Sequence, residues 1–248
     1  MAKDIGRLAG KTALVTGGAK RLGRAISIAL AGEGADLLVH YRNSADAAAD
    51  TASEIQQLGR RAWTLQADLA DPDEVERLMP RAVETAGSVN ILINSASIFP
   101  KDRLTQVAPA EIERSVRLHA IAPLVLTRAL AGRKAHVVNL LDSRVTDYDR
   151  EHAAYHLGKR MLLSMTRMLA LELAPEVAVN GVAPGLILPP EGEDEQYLQR
   201  LANTNPMNRH GDARDIADAV LYLVTSTFVT GQVIYVDGGR HMRGRVHG

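Results

Sequence analysis

The sequence predicts an α/β fold in which a doubly wound parallel sheet of about seven strands carries helices on both faces. Short apolar runs alternate with longer segments whose apolar residues recur at helical spacing. The apolar runs are continuous, which is typical of parallel strands buried on both faces. Hydrophobic residues make up 46% of the 248 residues and aromatic residues only 4%, so the core must be mainly Leu, Val, Ile and Ala.

The first half of the chain alternates four apolar runs with three helical segments. Ser44 begins the second helical segment and Gly59 ends it. Asp71 is placed to cap the third, with Pro72 at its first helical position. We predict strands over 12–17, 35–41, 61–69 and 89–96, and helices over 21–34, 44–59 and 71–87.

The second half continues the alternation. We predict helices over about 109–131, 152–174 and 212–224, and strands over 134–141, 176–184 and 232–239. Segment 186–211 has paired prolines, an acidic cluster and little periodicity, and it follows a predicted strand end where α/β proteins bind ligands. We expect it to be a substrate-binding lid loop, with a plain surface loop as the alternative. Because no linker or repeat is present, we expect residues 1–248 to form one domain.

Composition excludes several classes of function. Lys plus Arg and Asp plus Glu number 29 each, so there is no electrostatic footprint for nucleic acid or an anionic membrane. The chain has no cysteine, which excludes disulfides and thiolate chemistry and fits a cytoplasmic protein. No apolar run reaches the roughly 18 residues that span a bilayer, and residues 1–10 lack the apolar core of a signal peptide.

A glycine-rich turn, VTGGAKRLGRA (15–25), joins the first predicted strand to the first helix. Gly17, Gly18 and Gly23 permit tight turning and a close approach of the backbone to a ligand. The helix N-terminus that follows offers N–H groups and a favourable dipole to a pyrophosphate. An ordinary strand-to-helix turn is the alternative, but the position in the first βαβ unit favours a dinucleotide site.

The residues after the second predicted strand indicate which dinucleotide is bound. An acidic residue here usually binds the ribose hydroxyls of NAD, but the chain reads HYRNS, with no carboxylate until Asp46. Arg42, Asn43 and Ser44 offer a cation and two hydrogen-bonding side chains, which suit a 2′-phosphate. We therefore predict NADPH; the alternative is that Arg42 projects into solvent.

A carboxylate and a tyrosine–lysine pair are the candidate catalytic groups. VVNLLDSR (137–144) is a predicted strand that ends in Asp142, which can accept hydrogen bonds or, once protonated, donate one. Tyr155 and Lys159 are four residues apart and share one helix face. We expect the ammonium to lower the pKa of the tyrosine, making it a proton donor near neutral pH. An Asp–Ser turn and a chance helical spacing are the alternatives.

Motifs in order along almost the entire chain resemble the short-chain dehydrogenase/reductase superfamily. They are TGGAKRLG (16–23) for its TGxxxGxG turn, ADL (67–69) for its adenine-contacting strand end, NSAS (94–97) for its NNAG strand end, YHLGK (155–159) for its YxxxK pair, NGVAPG (180–185) for the stretch bordering the nicotinamide, and TGQVIYVDGG (230–239) for its last strand. The resemblance implies a single-domain Rossmann fold.

Departures from the superfamily pattern resemble pteridine reductases. Arg21 replaces the middle glycine of the turn, and Asp142 replaces the catalytic serine, 13 residues before the tyrosine. Phe99 follows the NSAS stretch and resembles the phenylalanine that stacks on the pterin in those enzymes. His119 takes the position of the superfamily's helix asparagine, a feature similar to bacterial dihydromonapterin reductases.

The resemblance implies two overlapping sets of site residues besides the catalytic Asp142, Tyr155 and Lys159. The implied cofactor-binding residues are Gly17, Lys20, Arg21, Leu22, His40, Tyr41, Arg42, Asn43, Ser44, Asp68, Leu69, Asn94, Ser95, Ala96, Tyr155, Lys159, Pro184 and Gly185. The implied substrate-binding residues are Arg21, Ser97, Phe99, Asp142, Tyr155 and Leu186.

We therefore expect an NADPH-dependent reductase that converts a pterin of the dihydromonapterin, dihydrobiopterin or dihydrofolate type to its tetrahydro form. The resemblance also implies a homotetramer, with the Tyr155 helix and the long helix before it at an interface. Two alternatives stay open. One is a carbonyl reductase, such as a 3-oxoacyl thioester reductase, in which Ser143 acts in place of Asp142; the other is a nucleotide-binding module without catalysis. We expect no metal site, because His152 and His156 are four apart but lack a third ligand.

Overall fold

The computed structural model describes residues 6–190 and 192–245, and all seven predicted strands lie in one sheet. The strands are β1 (Thr12–Thr16), β2 (Asp36–Tyr41), β3 (Ala62–Gln66), β4 (Ile91–Asn94), β5 (Ala135–Leu140), β6 (Val177–Pro184) and β7 (Val233–Val236). Their order is β3-β2-β1-β4-β5-β6-β7 and all pairs are parallel. The predicted Rossmann fold is confirmed. The first half of the stretch considered for a signal peptide, residues 1–5, lies outside the described residues.

Eight α-helices are present in the described residues. They are α1 (Arg21–Gly32), α2 (Ala45–Gln57), α3 (Pro72–Ala86), α4 (Pro109–Val116), α5 (Ala122–Arg128), α6 (Ala153–Glu172), α7 (Glu195–Leu201) and α8 (Ala213–Thr225). The single helix predicted over 109–131 is instead two helices joined by a π-turn at Arg117–Ile121. The predicted cap of α3 is confirmed, because the Asp71 side chain accepts hydrogen bonds from the N–H groups of Asp73 and Glu74.

The sheet separates two apolar clusters. Helices α1, α2 and α8 cover one face, while α3, α5 and α6 cover the other. Successive residues of a strand face the two clusters alternately: in β1, Ala13 and Val15 face the first cluster and Leu14 faces the second. This two-sided burial explains why the strands read as continuous apolar runs.

Segment 186–211 is more regular than we predicted. It contains α7 and a 3₁₀ turn at Ala202–Thr204. The Asp194 side chain caps α7 by accepting from the Gln196 N–H at 2.9 Å, and Leu198 anchors the helix by burial. A helix of seven residues holds too few turns to show a periodic pattern.

The order of strands reverses beside β1, whose neighbours are β2 and β4. The carboxyl ends of strands flanking such a reversal form the crevice in which open α/β sheets bind ligands. The glycine-rich turn leaves β1 here, and NSAS leaves β4. The fold thus brings the two predicted cofactor motifs to one edge of the sheet.

Candidate active site

Hydrogen bonds to the end of β2 hold the glycine-rich turn in shape. The Gly17 N–H donates to Nδ1 of His40 at 3.0 Å, and the Gly18 N–H donates to the His40 carbonyl oxygen at 2.9 Å. Nε2 of His40 lies 3.0 Å from the Ala67 carbonyl oxygen, which only accepts, so the ring is neutral with its proton on Nε2. Burial lowers the pKa of His40 to about 4. Both ring nitrogens are engaged within the protein, so the side chain supports the turn from behind.

The turn has the shape of a phosphate cradle. Gly17 has a φ of 64°, and a Cβ there would lie 3.0 Å from Cα of Ala96. A Cβ at Gly23 would lie 2.1 Å from the Gly17 carbonyl oxygen. Lys20, the N-cap of α1, makes no capping side-chain bond, so the first N–H groups of the helix keep their capacity for an anion. These features fit the pyrophosphate of a dinucleotide.

Arg21 links this turn to the segment after β6. Its φ is 53°, in the left-handed region that glycine adopts far more readily. Its Nη2 donates to the Pro189 carbonyl oxygen. A non-glycine residue kept in this region is a candidate for a functional side chain.

The other predicted cofactor residues surround the same crevice. Arg42 and Asn43 are exposed just after β2, and Ser44 is half-buried at the start of α2. The side chain of Asp68 accepts from the Ala70 N–H at 2.9 Å. The Asn94 amide is buried against Asn139, to which its Nδ2 donates at 2.8 Å. The remaining predicted positions are Leu22, Tyr41, Ser95, Ala96, Pro184 and Gly185, all half-buried, with Leu69 buried.

Asp142 and Tyr155 form a hydrogen-bonded acid pair. The Tyr155 hydroxyl donates to Oδ2 of Asp142 at 2.9 Å. The second carboxylate oxygen, Oδ1, accepts from the Arg144 N–H at 2.7 Å, so Asp142 also forms the turn that we weighed as the alternative. Ser143 is buried, and its N–H donates to the Pro184 carbonyl oxygen at 2.9 Å. The partner of the tyrosine is therefore the carboxylate.

The electrostatics of Tyr155 differ from our prediction. Burial, and then the charge of Asp142 and the hydrogen bond to it, raise the pKa of Tyr155 well above its ordinary value of 10.0. The prediction that Lys159 lowers this pKa is wrong in this structure. The Lys159 ammonium lies 5.7 Å from the centre of the tyrosine ring, whereas the carboxylate touches the hydroxyl. Tyr155 is a neutral phenol whose proton points at Asp142.

Lys159 is buried one turn further along α6. Its Nζ donates to the Leu140 carbonyl oxygen, at the end of β5, at 2.5 Å. Burial lowers its pKa to about 8, although Asp142 opposes the shift. The ammonium thus ties α6 to the strand that ends beside Asp142.

Phe99 lies beside the acid pair. Its ring stacks on His152, with centroids 3.7 Å apart and planes inclined by 19°. It meets the Tyr155 ring edge-on at 4.7 Å. Phe99 remains 42% exposed, so it still offers aromatic surface to a ligand. Ser97 is exposed nearby, and Leu186 is buried after β6.

Sequence reasoning did not foresee two supporting sets of contacts. The Thr16 hydroxyl accepts from the N–H groups of Ser95 and Ala96 at 2.9 and 3.1 Å, which holds the exit of β4 against β1. The threonine that precedes the glycines in TGGAKRLG was the available signal. His152 fixes its ring by pairing Nδ1 with the Pro100 carbonyl oxygen at 2.8 Å, a contact between residues 52 positions apart that no local pattern reveals.

A cavity of about 620 Å³ lies beyond the ends of β6 and β7. It shares Leu186 with the predicted substrate site, but Asp142, Tyr155 and Lys159 do not line it. The acid pair and the aromatic ring therefore locate the candidate active site better than this cavity does. Within residues 6–190 and 192–245, no group of three or more metal-ligating side chains is present, and no helix is long and apolar enough to cross a bilayer.

The chain is similar to proteins named as reductases along nearly its whole length. A family model described as enoyl-(acyl carrier protein) reductase matches residues 17–241. The dihydromonapterin reductase of Shigella boydii is 31% identical and covers 93% of this chain and 96% of its own. The 3-oxoacyl-(acyl-carrier-protein) reductase FabG of Staphylococcus epidermidis is 31% identical and covers 94% and 99%.

A solved structure of another relative has the same fold as this chain. The crystal structure of FolM alternative dihydrofolate reductase 1 from Brucella canis, complexed with NADP, superposes with a TM-score of 0.87 at 33% identity, covering 95% of this chain and 96% of that one. The family model, the relatives and the shared fold confirm the resemblance drawn from the motifs. The chain belongs to the short-chain dehydrogenase/reductase superfamily of oxidoreductases.

Proposed function

We propose that this protein reduces a dihydropterin to its tetrahydro form with NADPH. The observation that carries the proposal is the 2.9 Å hydrogen bond between the Tyr155 hydroxyl and Asp142. The oxygen of a ketone substrate needs hydrogen-bond donors around it. A pterin instead has ring N–H and amino groups, which can donate hydrogen bonds to a carboxylate. A dihydromonapterin reductase and an alternative dihydrofolate reductase among the relatives support the same substrate class.

The cofactor would lie along the crevice beside β1. The cradle at residues 16–23 would hold the pyrophosphate, and Lys159 would hold the nicotinamide ribose. NADPH, when bound, supplies the hydride. Arg42 is exposed and makes no ion pair within the described part of the chain, so its guanidinium is available to a 2′-phosphate. An NADP-bound relative of the same fold supports this choice of cofactor.

Arg42→Ala tests the choice of cofactor. Because a charge-assisted hydrogen bond contributes about 1.5–3 kcal/mol, we expect the KM for NADPH to rise at least about tenfold. The KM for NADH should stay within about twofold, since NADH has no 2′-phosphate. Steady-state kinetics with both cofactors check this. An equal loss for the two would show that Arg42 supports the fold of the crevice rather than the phosphate.

The substrate would lie on Phe99. A flat heterocycle would be held between that ring and the nicotinamide, with Arg21, Ser97 and Leu186 around its edge. Reducing a C=N bond requires a hydride on carbon and a proton on nitrogen. Tyr155 and Asp142 share the proton that would be delivered, and Asp142 can also accept from the N–H donors of the pterin.

Arg21→Gly separates the backbone at this position from its side chain. Relief of the left-handed conformation is worth about 1 kcal/mol, partly offset by the freer unfolded chain, so we expect the free energy of unfolding to stay constant or rise by less than about 1 kcal/mol. The KM for dihydropterin should rise about tenfold, because the guanidinium is lost. Urea unfolding and kinetics check the two parts. A destabilised variant with an unchanged KM would assign Arg21 a purely structural role.

Two larger features belong to the same proposal. Segment 186–211, with α7 inside it and Arg21 bonded to its Pro189, would act as the lid over the substrate. The outer face of α6 exposes Leu157, Met161 and Met168, which fits burial against a second copy in a homotetramer. Light scattering on the purified protein measures the assembly directly.

The deciding experiment compares NADPH oxidation with a dihydropterin and with an acetoacetyl thioester. We expect turnover of the dihydropterin. The Staphylococcus relative is named a 3-oxoacyl-(acyl-carrier-protein) reductase. Turnover of the thioester alone would therefore contradict the pterin proposal and indicate a carbonyl reductase. Cofactor binding without turnover of either substrate, and a Tyr155→Phe variant indistinguishable from wild type, would indicate a nucleotide-binding module.

A further inference from the structure

We infer that His119 is a positioning residue: its ring accepts hydrogen bonds from the segment that leaves β4, and so fixes Phe99 beside Tyr155 without carrying a proton. The inference rests on the proposed function only in naming the substrate that Phe99 would bind. The segment concerned is residues 97–99, which we call the aromatic segment.

The His119 ring joins a helix to the aromatic segment. Its Nδ1 lies 3.0 Å from the Ser115 carbonyl oxygen, one turn earlier in the chain. On the other side of the ring, Nε2 accepts from the Ile98 N–H at 3.3 Å and lies 3.0 Å from the Ser97 hydroxyl. A carbonyl oxygen only accepts and a backbone N–H only donates, so the proton is on Nδ1 and the lone pair is on Nε2.

These hydrogen bonds leave the His119 ring no proton to pass to a substrate. Nδ1 uses its proton on Ser115, and Nε2 uses its lone pair on the aromatic segment. Burial, and then the charge of the nearby Lys159 ammonium, lower the pKa of His119 to about 3. The ring is therefore neutral at any pH at which the enzyme is folded and active. The charge facing it is that of Lys159, which donates to the Leu140 carbonyl oxygen instead.

The position of the ring is set by a close approach of α6. A Cβ at Gly158 would lie 2.9 Å from Cβ of His119 and 3.1 Å from the Ser115 carbonyl oxygen. The His119 ring meets the Tyr155 ring edge-on at 5.3 Å. His119 thus lies between the catalytic turn of α6 and the aromatic segment, and Gly158 in YHLGK leaves the space for it.

The aromatic segment has few other anchors. Ser97 is exposed and Phe99 is 42% exposed, so burial does little to hold them. Phe99 is steadied from one side by its stack on His152. The Ile98 N–H, bonded to His119, holds the backbone on one side of Phe99, and the Pro100 carbonyl oxygen, bonded to His152, holds it on the other. Losing the first contact should leave the aromatic ring freer to shift.

Two substitutions of His119 test the roles of Nδ1 and Nε2 independently. The side-chain oxygen of glutamine reaches about as far as Nε2, so His119→Gln keeps the acceptor for the Ile98 N–H. Asparagine reaches only about as far as Nδ1, so His119→Asn keeps the contact to Ser115 and loses the acceptor. His119→Gln is thus the matched control for His119→Asn.

We expect His119→Asn to raise the KM for dihydropterin about tenfold, with kcat within about threefold of wild type. Amide hydrogen exchange in the peptide that contains Ile98 should accelerate by a similar factor. His119→Gln should retain both the KM and the protection. The pH profile of kcat should be the same in all three proteins, because the ring does not titrate in the active range.

Other outcomes would overturn the inference. A lower kcat with an altered pH profile and an unchanged KM in His119→Asn would show that His119 carries a proton. Unchanged Ile98 exchange in both variants would show that the ring does not hold the segment. The exchange measurement needs no substrate, so it decides the role of His119 even if dihydropterin is not turned over and the proposed function fails.

Gly158→Ala is a second variant that leaves the imidazole in place. Its methyl group would press on Cβ of His119, so we expect the same faster exchange at Ile98 and the same rise in KM, in a helix with improved propensity. If His119→Asn does not fold, this variant decides the inference. Wild-type exchange and KM in Gly158→Ala would then contradict it.

Discussion

Tyr155→Phe is expected to lower kcat for dihydropterin reduction by about three orders of magnitude, the usual scale for a lost general acid. The variant removes the hydroxyl that donates to Asp142 at 2.9 Å and leaves the ring, with its contacts to Phe99 and His119, in place. NADPH binding, measured by fluorescence titration, should change less than about threefold. This combination would place the loss in the chemical step and not in the fold of the site.

Asp142→Asn is the matched partner of that variant. It keeps the size of the side chain and an oxygen for the Arg144 N–H, but it removes the charge that helps to raise the pKa of Tyr155. We expect a loss of about 100-fold in kcat, and a double variant no worse than Tyr155→Phe alone, because two groups that act as a unit are not additive. A Tyr155→Phe enzyme that kept more than about a tenth of wild-type activity would remove the tyrosine from the proton path.

Acidification from about pH 6.5 to about pH 4 is expected to destabilise the fold by on the order of 5 kcal/mol. The pKa of His40 is about 4 and that of His119 about 3 in the folded protein, against 6.5 for an ordinary histidine, because both rings are buried. Between these values the unfolded chain binds protons that the folded chain does not. Stability therefore rises with pH across this window and is lost as the pH falls through it.

Urea unfolding at several pH values between about 7 and 4 measures this loss. His40→Gln removes one of the two histidines with the largest shifts, so its loss of stability over the same range should be smaller by on the order of half, although it should start lower because the contact with Gly17 changes. A wild-type protein whose unfolding free energy is flat over this window would show that the two rings are not buried as neutral groups. Total stabilities of domains are only about 5–15 kcal/mol, so a loss of this size is a third or more of the total.

Much of the fold could be predicted from local pattern. All seven strands lie within the apolar runs that we predicted, because burial on both faces leaves a strand without polar alternation. Helix α7 was missed because its seven residues are too few for a period to emerge. The π-turn at Arg117–Ile121 was missed because one extra residue hardly disturbs an apolar pattern that continues on both sides.

Part of the candidate site could likewise be predicted from local sequence pattern, and part could not. The 13-residue separation of Asp142 and Tyr155 matches the serine-to-tyrosine spacing of the superfamily, and the two side chains meet at 2.9 Å. Spacing does not report burial, and burial set the direction of the Tyr155 pKa that we predicted wrongly. The contacts of His119 and His152 join residues far apart in the chain, and only the tertiary structure reveals them.

The π-turn between α4 and α5 makes this stretch intolerant of a one-residue deletion. Each residue of a helix turns the chain by about 100°, so the surplus residue sets the two helices out of phase by that angle. Removing Ala120 would restore a regular helix but swing Ser115 away from α6 while Leu126 stays in the core. We therefore expect such a deletion to separate Ser115 from the Ala154 carbonyl oxygen of α6, to which its hydroxyl donates at 2.9 Å.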